Sequence, residues 1–199
     1  MSVDFAKSET KRNLLRAFAG ESQARNRYTF SAGLAKKNGL YVIEAVFRFT
    51  AHQEKEHAQV FYDYLEKCSG ENIAIDGTYP IDLYNTVQEH LRAAQHNEYQ
   101  EYEHDYTSFA HTAKEEGFPE ISHVFSQIAR IEQIHGDRFG QFADLMEQDK
   151  LFINEVECDW MCLNCGYVVS NTTRPPQTSP VCQHHQGDFV RVDKVPLAK

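Results

Sequence analysis

A chain of 199 residues, 41% hydrophobic and 25% charged, has enough apolar residues for a core and too many for a disordered segment. Its net charge of −9 disfavours nucleic acid and anionic membranes as main partners, because both require clustered Lys and Arg. No run approaches the roughly 18 apolar residues of a membrane span, and Met1 to Thr10 lacks the apolar core of a secretory signal. A cytoplasmic location, without membrane or nucleic-acid partners, is the expectation.

The spacing of apolar residues predicts a helix over 4–37. Leu14, Leu15, Phe18, Ala24, Tyr28 and Ala32 fall on one stripe, and Glu21 lies inside it. A lone carboxylate there is costly to bury without a partner. Asn38-Gly39 is a stop signal. A second helix is expected over 40–68, with Val42, Val46, Phe49, Ala51, Phe61 and Leu65 as core. Residues 69–80 form the longest break. A third helix follows over 82–116, then a break at Gly117-Phe118-Pro119, then a fourth helix to about residue 149. Two short breaks and one long connection suit a four-helix bundle with a crossover between its second and third helices.

After residue 150 helical periodicity ends. Four of the five cysteines (Cys158, Cys162, Cys165 and Cys182, with Cys68 alone in the helical part) lie in this last stretch. An odd count without an export signal points to metal rather than to disulfides. Cys162-Leu163-Asn164-Cys165-Gly166-Tyr167 is a Cys-x-x-Cys knuckle. A β-rich unit this short is too small to fold on its core alone, and a bound metal normally holds one together. The expected division is therefore 1–150 and 156–199.

The helical part carries Glu54-Lys55-Glu56-His57 and, later, Glu132-Gln133-Ile134-His135. Residues three apart share a helix face, so each pair can offer a carboxylate and an imidazole to one metal ion. A single Glu-x-x-His is commonplace on a solvated helix face. Here the surroundings repeat as well: Gly39, Val46, Phe47, Ala51, Glu54, His57 and Phe61 match Gly117, Val124, Phe125, Ala129, Glu132, His135 and Phe139 at a constant offset of 78. Glu21 precedes Glu54 by 33 residues, and Glu98 precedes Glu132 by 34. The bundle reads as two copies of a helix pair, each giving one Glu and one Glu-x-x-His, the donor set of ferritin-like di-iron carboxylate bundles. Glu101, three residues after Glu98, is a fifth carboxylate with no counterpart in the first half, where Ala24 follows Glu21. Five carboxylates and two imidazoles for two ions leave positions open for an oxidant. Tyr28 and Tyr102 lie within two turns of these residues and are candidate proton donors or core aromatics. His52, His90, His96, His104, His111 and His123 fit no ligand pattern.

Taken together, residues 19–28 (Ala-Gly-Glu-Ser-Gln-Ala-Arg-Asn-Arg-Tyr), the two Glu-x-x-His motifs, Glu98-Tyr-Gln-Glu-Tyr102 and Trp160-Met-Cys-Leu-Asn-Cys-Gly-Tyr167 resemble the rubrerythrin family, and the likeness covers nearly the whole chain. The resemblance implies a ferritin-like bundle with a di-iron site held by Glu21, Glu54, His57, Glu98, Glu101, Glu132 and His135, followed by a rubredoxin-like iron domain. It implies reduction of hydrogen peroxide to water and electrons from a rubredoxin or an NAD(P)H-dependent reductase. It also implies a homodimer, often head-to-tail. In the family Glu101 and His57 exchange at one iron with redox state, which makes both, with Tyr28, the catalytic candidates.

The sequence departs from the family in its second knuckle, where Ser179-Pro180-Val181-Cys182 replaces Cys-Pro-x-Cys. Iron on Cys162, Cys165, Cys182 and the Ser179 oxygen is one outcome. Zinc in place of iron is another, a substitute ligand from His184, His185 or Cys158 a third, and an empty site the fourth; an impaired or absent iron is the favoured expectation. Two rival readings of the whole chain stand beside the peroxidase: a ferroxidase that uses dioxygen, and a structural metal bundle with a zinc-ribbon-like interaction module.

Overall fold

The computed structural model describes residues 3–195. The two residues before and the four after fall in the expected ranges 1–150 and 156–199 but lie outside the described residues. The bundle consists of α1 (Glu9–Lys37), α2 (Tyr41–Asp63), α3 (Val87–Gln100), a π turn (Glu101–Asp105), α4 (Tyr106–Glu115) and α5 (Pro119–Glu147). The third rod is thus α3 and α4 joined through the π turn.

The boundaries follow from capping. α1 begins at Glu9 rather than residue 4 because the Ser8 side chain accepts the Lys11 N–H. The carboxylate of Glu116, at the end of α4, takes the N–H groups of Glu9 and Thr10 at 2.9 and 2.8 Å. One acidic side chain thereby ties the start of the first helix to the end of the third rod. α3 begins at Val87, where Thr86 and Glu89 form a reciprocal capping box. Pro119 opens α5, where its missing N–H costs nothing. α2 ends at Asp63, and a 3-10 turn over Glu66–Cys68 finishes the rod expected to reach residue 68.

α1 packs along α2, and α5 packs along α3 and α4, so the bundle is two helix hairpins laid against each other. The irregular connection over 69–86 runs beside α1, held by Arg16 to Asp76 and by Arg27 to Asp82. Tyr79 rests over Gly20, 3.7 Å from where a side chain would begin.

The core has two aromatic centres on either side of the bundle's middle. In one, Tyr28, Phe47 and Phe139 have ring centroids 6.0, 5.0 and 5.1 Å apart. In the other, Tyr106, Phe125 and Phe61 are 6.0, 5.5 and 5.0 Å apart. Adding 78 to Tyr28 and Phe47 gives Tyr106 and Phe125, and subtracting it from Phe139 gives Phe61. The sequence repeat is therefore a structural two-fold, with each trio drawing residues from both hairpins.

The C-terminal unit is a three-stranded antiparallel sheet, β1 (Cys158–Cys162), β2 (Val168–Thr172) and β3 (Phe189–Arg191), in the order β2-β1-β3. Trp160, Cys162 and Phe189 form its small core, and the Trp160 indole donates to the Thr172 carbonyl. Val190, Leu163 and Val195 pack into the Tyr28 side of the helical core. At the contact Gly187 lies so close to the α1–α2 turn that a Cβ there would stand 1.9 Å from the Gly39 carbonyl oxygen.

Candidate metal centre

Between the two aromatic trios, Glu21, Glu54, Glu98, Glu132 and His135 are buried to 1% exposure or less, and His57 to 8%. They come from all four rods, as the Glu and Glu-x-x-His spacing predicts. Two adjoining groups form: Glu21, Glu54, His57 and Glu132, and Glu54, Glu98, Glu132 and His135. Glu54 and Glu132 belong to both. His57 Nδ1 is 3.1 Å from Glu54, 3.0 Å from Glu132 and 3.8 Å from Glu21. His135 Nδ1 is 3.0 Å from Glu54, 2.8 Å from Glu132 and 3.5 Å from Glu98. The imidazole planes lie 16° apart with centroids at 5.6 Å.

The donor atoms fit metal. Both oxygens of Glu54 and of Glu132, one of Glu21, one of Glu98, and the Nδ1 of both histidines are buried without a hydrogen-bond partner. Leaving so many polar atoms unsatisfied in one place is prohibitive unless cations take them up. Oxygen donors with one nitrogen in each group suit a first-row transition ion. Without cations the cluster balances its charge through protons. Burial opposes charging either imidazole, but the surrounding carboxylates hold both histidines protonated. Burial likewise opposes ionising Glu132, yet the two imidazoliums outweigh it and draw its carboxyl down to about 2. Burial, then the Glu54 charge, pushes Glu98 up to about 8, and burial, then Glu132, pushes Glu21 well up.

Each outer carboxylate is held by a tyrosine from the other hairpin. Tyr28 donates to Glu98, and Tyr106 donates to Glu21. Burial, followed by these carboxylate charges, raises both phenols well above their ordinary value, so both stay protonated and donate hydrogen bonds. Tyr28 was expected at the site; Tyr106 was not, although it stands 78 residues after Tyr28. Tyr102, the other candidate, packs at the edge of the Phe61 cluster instead.

The two-fold is broken at two places. His135 Nε2 pairs with Gln53 Oε1 at 3.1 Å, and Arg138 donates to that same oxygen and to Thr50. The position matching Gln53 in the other half is Ile131, and among the described residues no hydrogen bond reaches His57 Nε2. The outer nitrogen of one imidazole is held by the protein and that of the other is not. The second break is the π turn. Glu101 opens it and, with Arg16, Gly20, Tyr79 and Tyr106, lines a cavity of about 310 Å³ beside the cluster. Burial, then the charges of Glu21 and Glu98, pushes the Glu101 carboxyl well up. Of the seven expected donors, six form the two groups, and Glu101 stands next to them, outside both.

In the C-terminal unit Cys162, Cys165 and Cys182 come together. Neither His184, His185 nor Cys158 joins them. His184 Nδ1 turns to the Cys182 carbonyl, His185 Nδ1 takes the Gly187 N–H, and Cys158 faces the Thr172 carbonyl. Of the other histidines, His90 bonds to Ser31, and His52, His96, His104, His111 and His123 are exposed.

A helical bundle that closes paired carboxylates and imidazoles around two adjoining metal-sized groups defines the ferritin-like di-metal carboxylate proteins. Among solved structures, nigerythrin in a mixed-valence state matches over 96% of this chain and 88% of its own at a TM-score of 0.62, with 24% identity. Mycobacterium tuberculosis bacterioferritin matches over 74% of this chain and 90% of its own, at a TM-score of 0.63 and 20% identity. At those identities the likeness is one of fold, and the fold is ferritin-like. The sequence model of the rubrerythrin family matches residues 12–143. Rubrerythrin of Porphyromonas gingivalis is 43% identical over 95% of this chain and 92% of its own, and that of Nitratidesulfovibrio vulgaris is 41% identical over 92% and 93%. The chain belongs to the rubrerythrin family.

Proposed function

We propose that this chain is a cytoplasmic di-iron peroxidase of oxidative-stress defence, in which 1–150 reduces hydrogen peroxide and 156–199 relays electrons. Hydrogen peroxide, two protons and two electrons give two molecules of water. Two iron ions at Glu21, Glu54, His57, Glu98, Glu132 and His135 supply both electrons to one O–O bond when bound.

The observation that carries the reading is the asymmetry around Glu101. A bundle that only stored or braced metal would have no use for a fifth carboxylate near an imidazole whose outer nitrogen is unbonded. Glu101 sits on a π turn, a helical irregularity common at functional sites, and it lines a cavity that would give a small oxidant an approach towards the cluster. His57 has no hydrogen bond on its outer nitrogen to keep it in place. These features support a position at which either His57 or Glu101 would be able to hold an ion, were one bound. The Tyr28 and Tyr106 hydroxyls each hold a proton against a carboxylate of the site, Glu98 and Glu21 respectively. Together they meet the need for two protons at the departing oxygens.

The electrons come from an external donor protein, a rubredoxin or an NAD(P)H-dependent reductase. Within one chain the cysteine unit docks at the α1–α2 turn, and Glu21 lies 17 residues down α1 from Asn38, about 26 Å away along the helix. A head-to-tail homodimer would bring a second copy's cysteine unit closer than that.

Anaerobic stopped-flow oxidation of Fe(II)-loaded protein, with hydrogen peroxide and dioxygen in parallel, tests the reading. Faster oxidation by peroxide is expected. Oxidation by dioxygen as fast or faster would overturn it in favour of a ferroxidase.

A further inference from the structure

The cysteine unit contains two knuckles of the same shape. In the first, Gly166 N–H donates to the Cys162 carbonyl at 2.8 Å, Cys162 N–H donates to Tyr167 at 2.8 Å, and Gly166 has φ +75°. In the second, Gln183 N–H donates to the Ser179 carbonyl at 3.0 Å, Ser179 N–H donates to His184 at 2.8 Å, and Gln183 has φ +60°. Ser179 therefore occupies the place that Cys162 occupies in the first knuckle. Both residues are fully buried. A non-glycine residue rarely adopts the positive φ of Gln183 without compensation, so the second knuckle keeps its form at a conformational cost.

Two of the side-chain distances match the edges of a coordination sphere. A tetrahedral ion with metal–sulfur bonds of about 2.3 Å places its sulfurs about 3.8 Å apart, and a metal–oxygen bond of about 2.0 Å shortens an oxygen–sulfur edge to about 3.5 Å. Cys162 Sγ and Cys182 Sγ are 3.8 Å apart, and Ser179 Oγ is 3.5 Å from Cys165 Sγ. The Ser179 oxygen also accepts the N–H groups of Val181 and Cys182 at 3.3 and 3.4 Å. Two donors converging on that oxygen stabilise negative charge on it, as an anionic ligand requires.

We infer that Ser179 Oγ is the fourth ligand of a tetrahedral first-row metal ion held by Cys162, Cys165 and Cys182, so that this unit carries a three-sulfur, one-oxygen centre rather than an empty or three-coordinate site. A hard oxygen in place of a soft thiolate favours the higher oxidation state of iron. An iron ion here is consequently reduced at a lower potential than the same ion on four thiolates.

Anaerobic titration of the full chain with Co(II) reads this centre separately from the bundle, because only sulfur ligands give thiolate-to-cobalt charge-transfer bands. The native chain is expected to show these bands together with the intense d–d bands of a tetrahedral ion. Ser179→Cys should raise the charge-transfer intensity by about one third, as three thiolates become four. Ser179→Ala should bind Co(II) at least about tenfold more weakly, since even groups outside the coordination sphere act on that scale. Absence of the bands in the native chain would overturn the inference, as would Ser179→Ala with unchanged spectrum and affinity, where water would be the fourth ligand. Should Ser179→Ala not fold, Ser179→Cys decides: unchanged charge-transfer intensity overturns the inference. In the iron-loaded protein the same variant should raise the reduction potential, and an equal or lower potential also refutes it. None of these readouts depends on peroxide turnover.

Discussion

His57 and His135 are the same residue in two copies of one repeat, yet they do not share surroundings. Gln53 and Arg138 hold the outer nitrogen of His135, while the matching position beside His57 is Ile131. Replacing Gln53 with Leu should free His135 as well. The expected result is about tenfold weaker binding of one metal equivalent, measured by competition with a chelator, with the other equivalent little changed. Glu116 acts at the same scale on stability. Burial opposes its ionisation, but the bonds from Thr10 and from the Glu9 and Thr10 N–H groups outweigh it and lower its pKa. A carboxylate lowered on folding contributes stability that is complete above its unfolded value of about 4.3 and is lost as pH falls through the lower folded value. Glu116→Gln should cost about 1 kcal/mol at neutral pH and should flatten the acid limb of a urea-melt pH series.

At the scale of the element, the π turn explains a one-residue discrepancy in the sequence. Glu21 and Glu98 differ by 77 positions, whereas Tyr28 and Tyr106 differ by 78. The extra residue enters between Glu98 and Tyr106, where the Tyr106 N–H reaches back five residues to Glu101. An inserted residue in an α-helix turns everything after it by about 100°; the π turn absorbs that rotation, so both partners of the Tyr106–Glu21 bond stay in place. Deleting the exposed Glu103 should restore plain α-helix and break that register. Metal content should fall from two equivalents towards one, as measured by elemental analysis, with a lower melting temperature. The 33 and 34 residue spacings already contain this insertion, but only the backbone shows that a π turn takes it up. Helix identities, the crossover and six of the clustered residues were legible because each rests on a period or a stop signal. Tyr106 is missed by the sequence reading although the 78 offset from Tyr28 marks it. Gln53, Arg138 and Glu116 were not legible, because each acts across more than 80 residues of chain on a partner that no local pattern marks.

At the scale of the whole molecule, the cysteine unit is fastened to the bundle at a place where only glycine fits. Gly187→Ala should cost about 1–3 kcal/mol of docking through overpacking. Limited proteolysis between residues 148 and 157 should speed up while the metal content of the bundle stays the same; unchanged cleavage would mean that the Gly39 contact does not hold the unit. The bundle itself is joined differently. Of the four residues in each metal group, three come from one hairpin and the fourth is the shared glutamate of the other, Glu132 or Glu54, and each tyrosine bonds across the same divide. Neither hairpin can complete even one coordination sphere alone. A hairpin of this kind standing alone would complete the site only by pairing with a second copy of itself. With both copies in one chain, Gln53 stands in the first half and Glu101 in the second, each without a counterpart in the other.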